Sequence, residues 1–495
     1  MHRLARPAWA LAALLALLAL SAFLRTRALD ASLWIDEGIS AGIASQPAGE
    51  IPDLLRQDGS PPAYYLLLHA WTELAGTSEA ALRFPSLVFA LLAVPAALWA
   101  GWSLFGRTAG WICAAAAAVL PFLTMHAQEA RMYALVALLS VLAAASFVHA
   151  FALRRRRYVP AFAGLLALLL YTHYWALFFA LGALAGLAAL TVAAAPEERR
   201  KLVLDGALAF GFAAIAFGSW VPTLAFQLEH TGAPWSSPPP AAGLAAAGAL
   251  ALAAAIVFRL GVDAGERRAL LALGVLAVVT LTCGWMIAFV EPGWALRYLA
   301  VLAGPLLLLA GAALARLGPL GVVAAGAISC AWALDLGPVE KSNVAAVSNV
   351  AATSLEPGDL VVSTQPEQVP VLAHYLPDGL RFATPLGPVG DPEVMDWRDA
   401  LSRLRATQPE LTLAPLLDSL PPGTRVLLVA PETGQGHWTA PWTRLVALRS
   451  DEWTLALGAD PRFRLLQRTV PEARTTRTSV RLTLYAKAGE GSHGS

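Results

Sequence analysis

Two adjacent carboxylates, Asp36 and Glu37, follow an apolar run and stand just before Gly38. Paired carboxylates raise each other's affinity for a proton, and a positioned carboxylate can take the proton of an attacking hydroxyl group. The neighbouring residues give this pair no obvious structural task. We therefore interpret Asp36 as a general base, with Glu37 positioning a substrate or sharing a proton network.

Further polar side chains collect at the ends of other apolar runs. Simpler explanations exist for most of them, because Trp and Tyr are enriched at membrane interfaces, histidines pack there, and Glu129 and Arg131 could pair with each other. Ionisable groups at membrane depth are nevertheless costly and usually face a cavity or a pathway. The residues concerned are Tyr64, His69, Glu129, Arg131, His173, Arg297 and Tyr298.

The elements that must position these residues are apolar. Of the 495 residues, 57% are apolar and only 14% are charged, whereas a soluble domain carries about 25% charged residues. Long Ala, Leu and Val runs fill residues 1–335, and residues 336–495 have ordinary charge density. The sequence therefore predicts a polytopic α-helical membrane domain at 1–335 and an α/β domain at 336–495. A net charge of +1 argues against a nucleic-acid partner.

Eleven apolar segments are candidates for membrane spans, which need roughly 20 residues each. The first resembles a signal peptide, but no convincing cleavage site precedes Arg25, so we interpret it as an uncleaved span. The predicted spans are 8–24, 82–104, 109–125, 133–152, 158–172, 174–194, 203–221, 241–258, 269–289, 299–315 and 319–335.

Arginine placement predicts the orientation in the plasma membrane. With a cytoplasmic N-terminus, the arginine-rich segments, including the run at 154–157, fall on the cytoplasmic side, as the positive-inside rule requires. An odd number of spans then makes the C-terminal domain extracytoplasmic, whereas one span more or fewer would place it in the cytoplasm. Residues 25–82 become a long first outer loop. All the polar candidates fall in outer loops, which predicts a site at the outer boundary of the bilayer.

Three segments together resemble the GT-C superfamily of polytopic glycosyltransferases. They are the Asp36-Glu37 pair, the stretch from Ser60-Pro-Pro through His69 to the Leu-Arg-Phe-Pro-Ser at 82–86, and the Gln-Glu-Ala-Arg-Met-Tyr at 128–133. The order and spacing of these segments are similar to glycosyltransferase family 39, in its protein O-mannosyltransferase and lipid A aminoarabinose transferase branch. This resemblance covers roughly residues 30–190 and extends to the later spans only by layout.

The resemblance implies an inverting transfer of mannose or another hexose or pentose. The donor would be a polyprenyl-phosphate sugar, and the acceptor a hydroxyl group of a glycan, lipid or protein. Arg131 and Arg297 are the expected phosphate ligands, because guanidinium forks match phosphate oxygens. Glu129 matches the family's second acidic position. The remaining substrate-binding candidates are Tyr64, His69, His173 and Tyr298.

The sequence also departs from its relatives. The aminoarabinose branch carries a lysine before its Pro-Pro, where this chain has Ser60, and the adjacent tryptophans of oligosaccharyltransferases are absent. No cofactor is expected. A divalent metal held by Asp36, Glu37 and Glu129 is an open alternative that the family pattern does not favour.

Two other functions compete with this interpretation. A transporter or lipid flippase would place charged groups along a translocation pathway, but such proteins usually show inverted repeats and polar residues near the mid-membrane, and neither is evident. A catalytically inactive scaffold that binds a partner through its outer domain would not need the Asp36-Glu37 pair.

The C-terminal domain shows short apolar runs typical of strands at 359–364, 425–430 and 480–486. A helix is expected at 397–405, with Asp396 as its N-cap. The segment 434–438 contains two glycines but lacks the strand and helix context of a nucleotide-binding loop.

Overall fold

The computed structural model describes residues 5–236, 238–259, 263–290, 293–335, 337, 340–433, 438–469 and 479–488. A helix lies at each of the eleven predicted spans. The bounds are α1 (Ala5–Arg25), α5 (Glu79–Phe105), α6 (Arg107–Val119) with α7 (Pro121–Ala127), α8 (Tyr133–Phe147), α9 (Val159–Thr172), α10 (Ala176–Val192), α11 (Pro196–Gly218), α13 (Ala242–Arg259), α14 (Ala264–Val290), α15 (Ala303–Arg316) and α16 (Pro319–Leu334).

Seven of these helical segments are long and apolar enough to cross a membrane. The pair α6 and α7 makes an eighth if it is counted as one span, although it bends by 48° where Leu120 meets Pro121. The helices α10 and α16 are apolar but shorter, and α9 has 14 residues. Exposed leucine, isoleucine and phenylalanine side chains cover the outward helix faces, as expected for contact with lipid.

The α8 helix is the centre of the bundle. It continues through a π-helical turn, Val148–Ala152. In the most apolar 18-residue stretch of Tyr133–Ala152, 94% of the residues are buried. Helices α5, α9 and α15 pack around it, together with the 3₁₀ turn Leu296–Leu302 that leads into α15. The end of α8 at Tyr133 therefore receives residues from distant parts of the chain.

The first predicted loop, 25–82, is largely helical. It contains α2 (Ile35–Ser45), α3 (Ile51–Asp58) and α4 (Ala63–Ala75), and a further helix, α12 (Val221–His230), follows α11. Asp36 and Glu37 lie in the first turn of α2. Negative side chains there interact favourably with the positive end of the helix dipole. Carboxylates in that position help the helix to begin there.

A mixed six-stranded sheet forms the C-terminal domain, in the order β3-β2-β1-β4-β6-β5. The predicted fold class, a polytopic helical membrane protein with a C-terminal α/β domain, is confirmed. The strands are β1 (Leu360–Ser363), β2 (Arg381–Thr384), β3 (Gly387–Val389), β4 (Arg425–Pro431), β5 (Phe463–Arg468) and β6 (Val480–Lys487), and the helices are α17 (Val344–Ala352), α18 (Val369–Tyr375), α19 (Ala400–Ala406), α20 (Pro409–Asp418) and α21 (Pro441–Ala459).

The expected strands at 359–364, 425–430 and 480–486 coincide with β1, β4 and β6. The expected helix cap at Asp396 is wrong. Helix α19 begins three residues later, with Asp399 as its N-cap, and the Asp396 carboxylate instead pairs with Arg398 and Arg403. Charge-assisted hydrogen bonds from two guanidinium groups stabilise that carboxylate more than one from a single backbone N–H does. The segment 434–437 lies outside the described residues.

The C-terminal domain packs on the predicted outer loops. The Leu33 N–H donates to the Tyr375 hydroxyl (2.8 Å), and the Glu393 carboxylate accepts from both Ser45 and Gln46 (2.6 Å each). The two faces of β4 line two different hydrophobic cores. Leu427 belongs to the core that continues into the membrane helices, and Leu428 belongs to a core within the C-terminal domain. The predicted outer loops and the domain therefore occupy the same end of the bundle.

Candidate active site

Asp36 and Arg297 meet although more than two hundred residues separate them in the chain. Helix α2 presents Asp36 from its first turn, and the 3₁₀ turn before α15 presents Arg297. The Oδ2 atom of Asp36 lies 3.5 Å from the Nη2 atom of Arg297, with the side chains 18% and 16% exposed. The structure thus brings together two of the residues singled out in the sequence.

Arg131 approaches the same carboxylate residue from the turn before α8. Its Nη1 donates to the backbone carbonyl of Asp36 (3.3 Å), to the Ser40 hydroxyl (3.0 Å) and to the Tyr65 hydroxyl (3.2 Å). These contacts hold one guanidinium group beside the first turn of α2 while Arg297 lies against the side chain of Asp36. Two positive groups therefore flank Asp36.

Asp58 belongs to the same cluster, although it is not among the sequence candidates. It accepts a hydrogen bond from the Tyr65 hydroxyl (3.3 Å). Burial raises the pKa of Asp58, and the charge of Arg131 opposes that rise. The sequence signal was its place in the predicted first outer loop, two residues before Ser60-Pro-Pro.

Aromatic rings surround Arg297. Its guanidinium carbon lies 4.9 Å from the ring centroid of Trp235, 5.8 Å from that of Tyr298 and 6.0 Å from that of Trp34. Such rings attract a cation through their negative faces. They also exclude water, which strengthens the interactions of the guanidinium group with any anion.

His173, between α9 and α10, packs against the aromatic rings around Arg297. Its ring lies 4.8 Å from that of Tyr298, and its Nδ1 atom accepts from the Trp175 backbone N–H (3.1 Å). Burial, together with the charges of Arg131 and Arg297, lowers the pKa of His173 to about 3. The ring is therefore neutral at pH 7, and with Nδ1 accepting, its Nε2 carries the proton.

Three polar atoms of the cluster are buried and have no hydrogen-bond partner within the described part of the chain. They are Oδ2 of Asp36, Nε of Arg131 and Nε of Arg297. Buried polar atoms are nearly always hydrogen-bonded in folded proteins. The cluster therefore holds both an unused hydrogen-bond acceptor and two unused donors.

Glu37 lies beside Asp36 but points into the protein. It is fully buried, and both of its oxygens accept from Arg83, through Nε and Nη2 at 2.7 Å each. The Ala130 N–H donates to the same carboxylate (2.8 Å). Glu37 thus joins α2 to α5 and to the turn that carries Arg131, and no described contact brings it to Arg297.

Glu129 is also fully buried. One simple explanation of the sequence was an ion pair with Arg131, but the ion pairs described for Glu129 are with His126 and Lys341. It lies 2.8 Å from His126 Nδ1 and 3.2 Å from the Nζ atom of Lys341. Lys341 also donates to the backbone carbonyl of Gln128 (2.7 Å). Sequence reasoning missed Lys341, which comes from the connection between α16 and the C-terminal domain.

Among the described contacts, Tyr64 and His69 do not touch the side chains of Asp36, Arg131 or Arg297. The Tyr64 hydroxyl is buried 3.3 Å from that of Ser86, and it is the neighbouring Tyr65 that contacts Arg131. The Nδ1 atom of His69 lies 2.9 Å from the carbonyl oxygen of Ala44, linking α4 to α2. These contacts join α4 to α5 and to α2.

The open alternative of a metal held by Asp36, Glu37 and Glu129 requires their carboxylates to converge. Each instead contacts a different cation, namely Arg297, Arg83 and Lys341. Within the ranges that the structure describes, no group of three or more His, Cys, Asp or Glu side chains is placed to hold a metal ion. The carboxylates are thus arranged around guanidinium and ammonium groups.

No family model and no curated protein matches the chain. Among solved structures, the chain is similar to ArnT from Cupriavidus metallidurans in the apo state, with a TM-score of 0.53 and 17% identity over 97% of this chain and 98% of that one. ArnT bound to undecaprenyl phosphate gives a TM-score of 0.51 and 16% identity over 98% of both chains. The similarity extends over nearly the whole length of each protein.

Proposed function

From the GT-C fold that the chain shares with ArnT, we propose that this protein is a membrane glycosyltransferase. It transfers a sugar from a polyprenyl-phosphate donor to an acceptor hydroxyl group on the outer face, with inversion at the anomeric carbon. The observation that carries this proposal is the convergence of Asp36 with Arg131 and Arg297. The undecaprenyl phosphate bound to ArnT supports the class of donor.

The two guanidinium groups are suited to the phosphate of such a donor. Each retains a buried Nε atom without a hydrogen-bond partner among the described residues, and a guanidinium fork binds phosphate oxygens with paired hydrogen bonds. Negative charge grows on the phosphate as the bond to the sugar breaks. Fixed positive groups in a site with little water stabilise that charge strongly.

Asp36 is the proposed base. The acceptor oxygen forms a bond to the anomeric carbon, the bond from that carbon to the phosphate oxygen breaks, and the hydroxyl proton passes to Asp36. In the free protein the carboxylate lies against Arg297. A donor phosphate that engages Arg297 would release Asp36 to accept the proton, so donor binding would prepare the base.

The surrounding residues have supporting roles in this proposal. Tyr65 holds Arg131, and the rings of Tyr298 and His173 line the wall beside Arg297. Glu37 positions α2 through its pair with Arg83, and Glu129 positions the turn before α8 through its pair with Lys341. The Nε2–H of the neutral His173 offers one further donor to a sugar or phosphate oxygen.

The test uses full-length protein in lipid nanodiscs with radiolabelled polyprenyl-phosphate sugars, mannose among them. We expect Asp36→Asn to lower transfer by about 10²- to 10⁴-fold, the usual contribution of a general base, with donor binding retained. Asp378→Asn changes an exposed aspartate in the same way and should keep wild-type activity. Wild-type turnover by Asp36→Asn would exclude Asp36 as the base.

A further inference from the structure

A turn of the C-terminal domain lies against the helix that carries Asp36. This turn is the 3₁₀ segment Pro366–Gln368, which leads into α18, and both elements pack on α2. A methyl group added to Gly38 would lie only 2.7 Å from the backbone nitrogen of Val371. The domain therefore touches α2 two residues from the proposed base.

Glu367 is 5% exposed and only half satisfied. Its Oε1 accepts from the Trp442 indole N–H and from the Gln365 side-chain amide, at 2.9 Å each. Its Oε2 is buried without a hydrogen-bond partner in the described ranges. The carboxylate is thus held rigidly on one side and has unused acceptor capacity on the other.

Two glutamines extend this polar group. Gln368 is fully buried, and neither its amide nitrogen nor its amide oxygen has a hydrogen-bond partner among the described residues. Gln365 is 5% exposed, and its Oε1 is likewise without one. Buried polar groups without a hydrogen-bond partner are costly, so the unused donors and acceptors of this cluster suit a polar ligand.

Two separate routes connect this cluster to the proposed active site. Burial raises the pKa of the Glu367 carboxyl group, and the negative charge of Asp36 adds a smaller contribution in the same direction. On the other side, the Trp442 backbone N–H donates to the carbonyl of Pro234 (3.1 Å), and the adjacent Trp235 stacks on Arg297. Glu367 is thus linked through Trp442 to the segment that carries Trp235.

Resting on the proposed function, we propose that Gln365, Glu367 and Gln368 form the acceptor subsite, and that the acceptor they take is a saccharide. Hydroxyl groups both donate and accept hydrogen bonds. The cluster offers three unused oxygen acceptors and one unused amide donor, a mixture that several hydroxyl groups on one ring can satisfy. N–H groups from Gln365 and Trp442 point at the same carboxylate, which disfavours a bound cation.

The experiment measures two reactions of the full chain in nanodiscs. One is hydrolysis of a radiolabelled polyprenyl-phosphate sugar without acceptor, and the other is transfer to n-octyl β-D-glucoside or to 1-octanol. We expect wild-type protein to prefer the glucoside. Glu367→Gln and Gln368→Ala should each raise its KM by about tenfold, the value of a lost hydrogen bond, with a smaller effect on donor hydrolysis. Gln408→Ala and Glu410→Gln are exposed controls in the same domain.

Several results would overturn the acceptor subsite while leaving the proposed function intact. They are equal use of the glucoside and octanol, preferential transfer to a serine-containing peptide, an equal loss of hydrolysis and transfer in the variants, or a requirement for Ca²⁺ that Glu367→Gln removes. Thermal unfolding of each variant identifies one that fails to fold, and the other variant then decides. Wild-type protein that neither hydrolyses nor transfers any polyprenyl-phosphate sugar would instead overturn the proposed function itself, and the subsite with it.

Discussion

Arg83 joins helix α5 to helix α2 and to the loop that precedes α2. Besides both oxygens of Glu37, its guanidinium group donates to the backbone carbonyls of Ala28, Leu29, Ala31 and Ser32. A carbonyl-rich loop before α2 can be buried only if something donates to it. Arg83 supplies those donors and so determines where α2, with Asp36, begins.

Replacing Arg83 by lysine should therefore destabilise the protein without adding or removing charge. An ammonium group cannot serve both carboxylate oxygens and four carbonyls, and a buried carbonyl left without a donor costs about 1–3 kcal/mol. We expect the free energy of unfolding of Arg83→Lys in detergent to fall by about 3 kcal/mol. Arg27→Lys, at an exposed position nearby, should change it by less than about 0.5 kcal/mol; equal effects would contradict this role of Arg83.

His173 predicts a pH dependence of stability. The unfolded chain protonates a histidine near pH 6.5, whereas the folded protein does so only near pH 3. The unfolded state therefore binds more protons below pH 6.5, and stability falls as the pH drops from 6.5 towards 3, by up to about 1.4 kcal/mol per pH unit.

The measurement compares unfolding at pH 7.5 and pH 5.0. His173→Asn, whose amide oxygen can still accept from the Trp175 N–H, should lose less stability between these pH values than the wild type does. His230→Asn, at a half-buried position away from Arg297, serves as the control for removal of a histidine. An unchanged pH dependence in His173→Asn would show that folding does not lower the pKa of His173.

Sequence reasoning identified Asp36, Arg131 and Arg297 because charged residues beside apolar spans stand out. It did not find Lys341 or Glu367. Both lie in the part of the chain with ordinary charge density, where nothing local separates a buried ionisable residue from a solvated one. Their burial arises from the packing of the C-terminal domain on the loops, which a hydropathy pattern does not encode.

At the scale of elements, α2 is held between the membrane helices and the C-terminal domain. A methyl group on Gly42 would overlap the carbonyl oxygen of Glu393, whereas Gly49, just after the helix, has open space around it. Gly42→Ala should therefore lower the free energy of unfolding by about 1–3 kcal/mol, the usual cost of overpacking. Gly49→Ala is the matched control, and equal unfolding midpoints for the two variants would contradict close docking at Gly42.

The membrane helices were predictable because long apolar runs have few alternatives to crossing the bilayer as helices. The helices of the first loop were not, since α2, α3 and α4 are short and their packing partners come from elsewhere. The break between α6 and α7 was also missed. Pro121 has no N–H to donate to the preceding turn, so the predicted span 109–125 bends there.

At the scale of the whole molecule, the proposed chemistry depends on which side of the membrane the C-terminal domain occupies. The predicted orientation places this domain and the loop 25–82 outside. Alkaline phosphatase fused after Leu334 should therefore be active, and the same enzyme fused after Gly318, one helix earlier, should be inactive. The reverse pattern would place the Asp36 cluster in the cytoplasm and exclude an outer-face reaction.

The burial of α8 also has a consequence for how the protein is made. Its sequence is apolar enough to leave the translocation machinery as an independent span, yet in the finished bundle it has almost no face for lipid. One of its neighbours, α15, ends at Arg316, roughly 160 residues later. At 5–20 residues per second, synthesis of that stretch takes about 10–30 s. During this interval nascent α8 must be accommodated by lipid or by an insertion chaperone, so substitutions on the α8 face of α15 should reduce the yield of inserted protein before they affect its turnover.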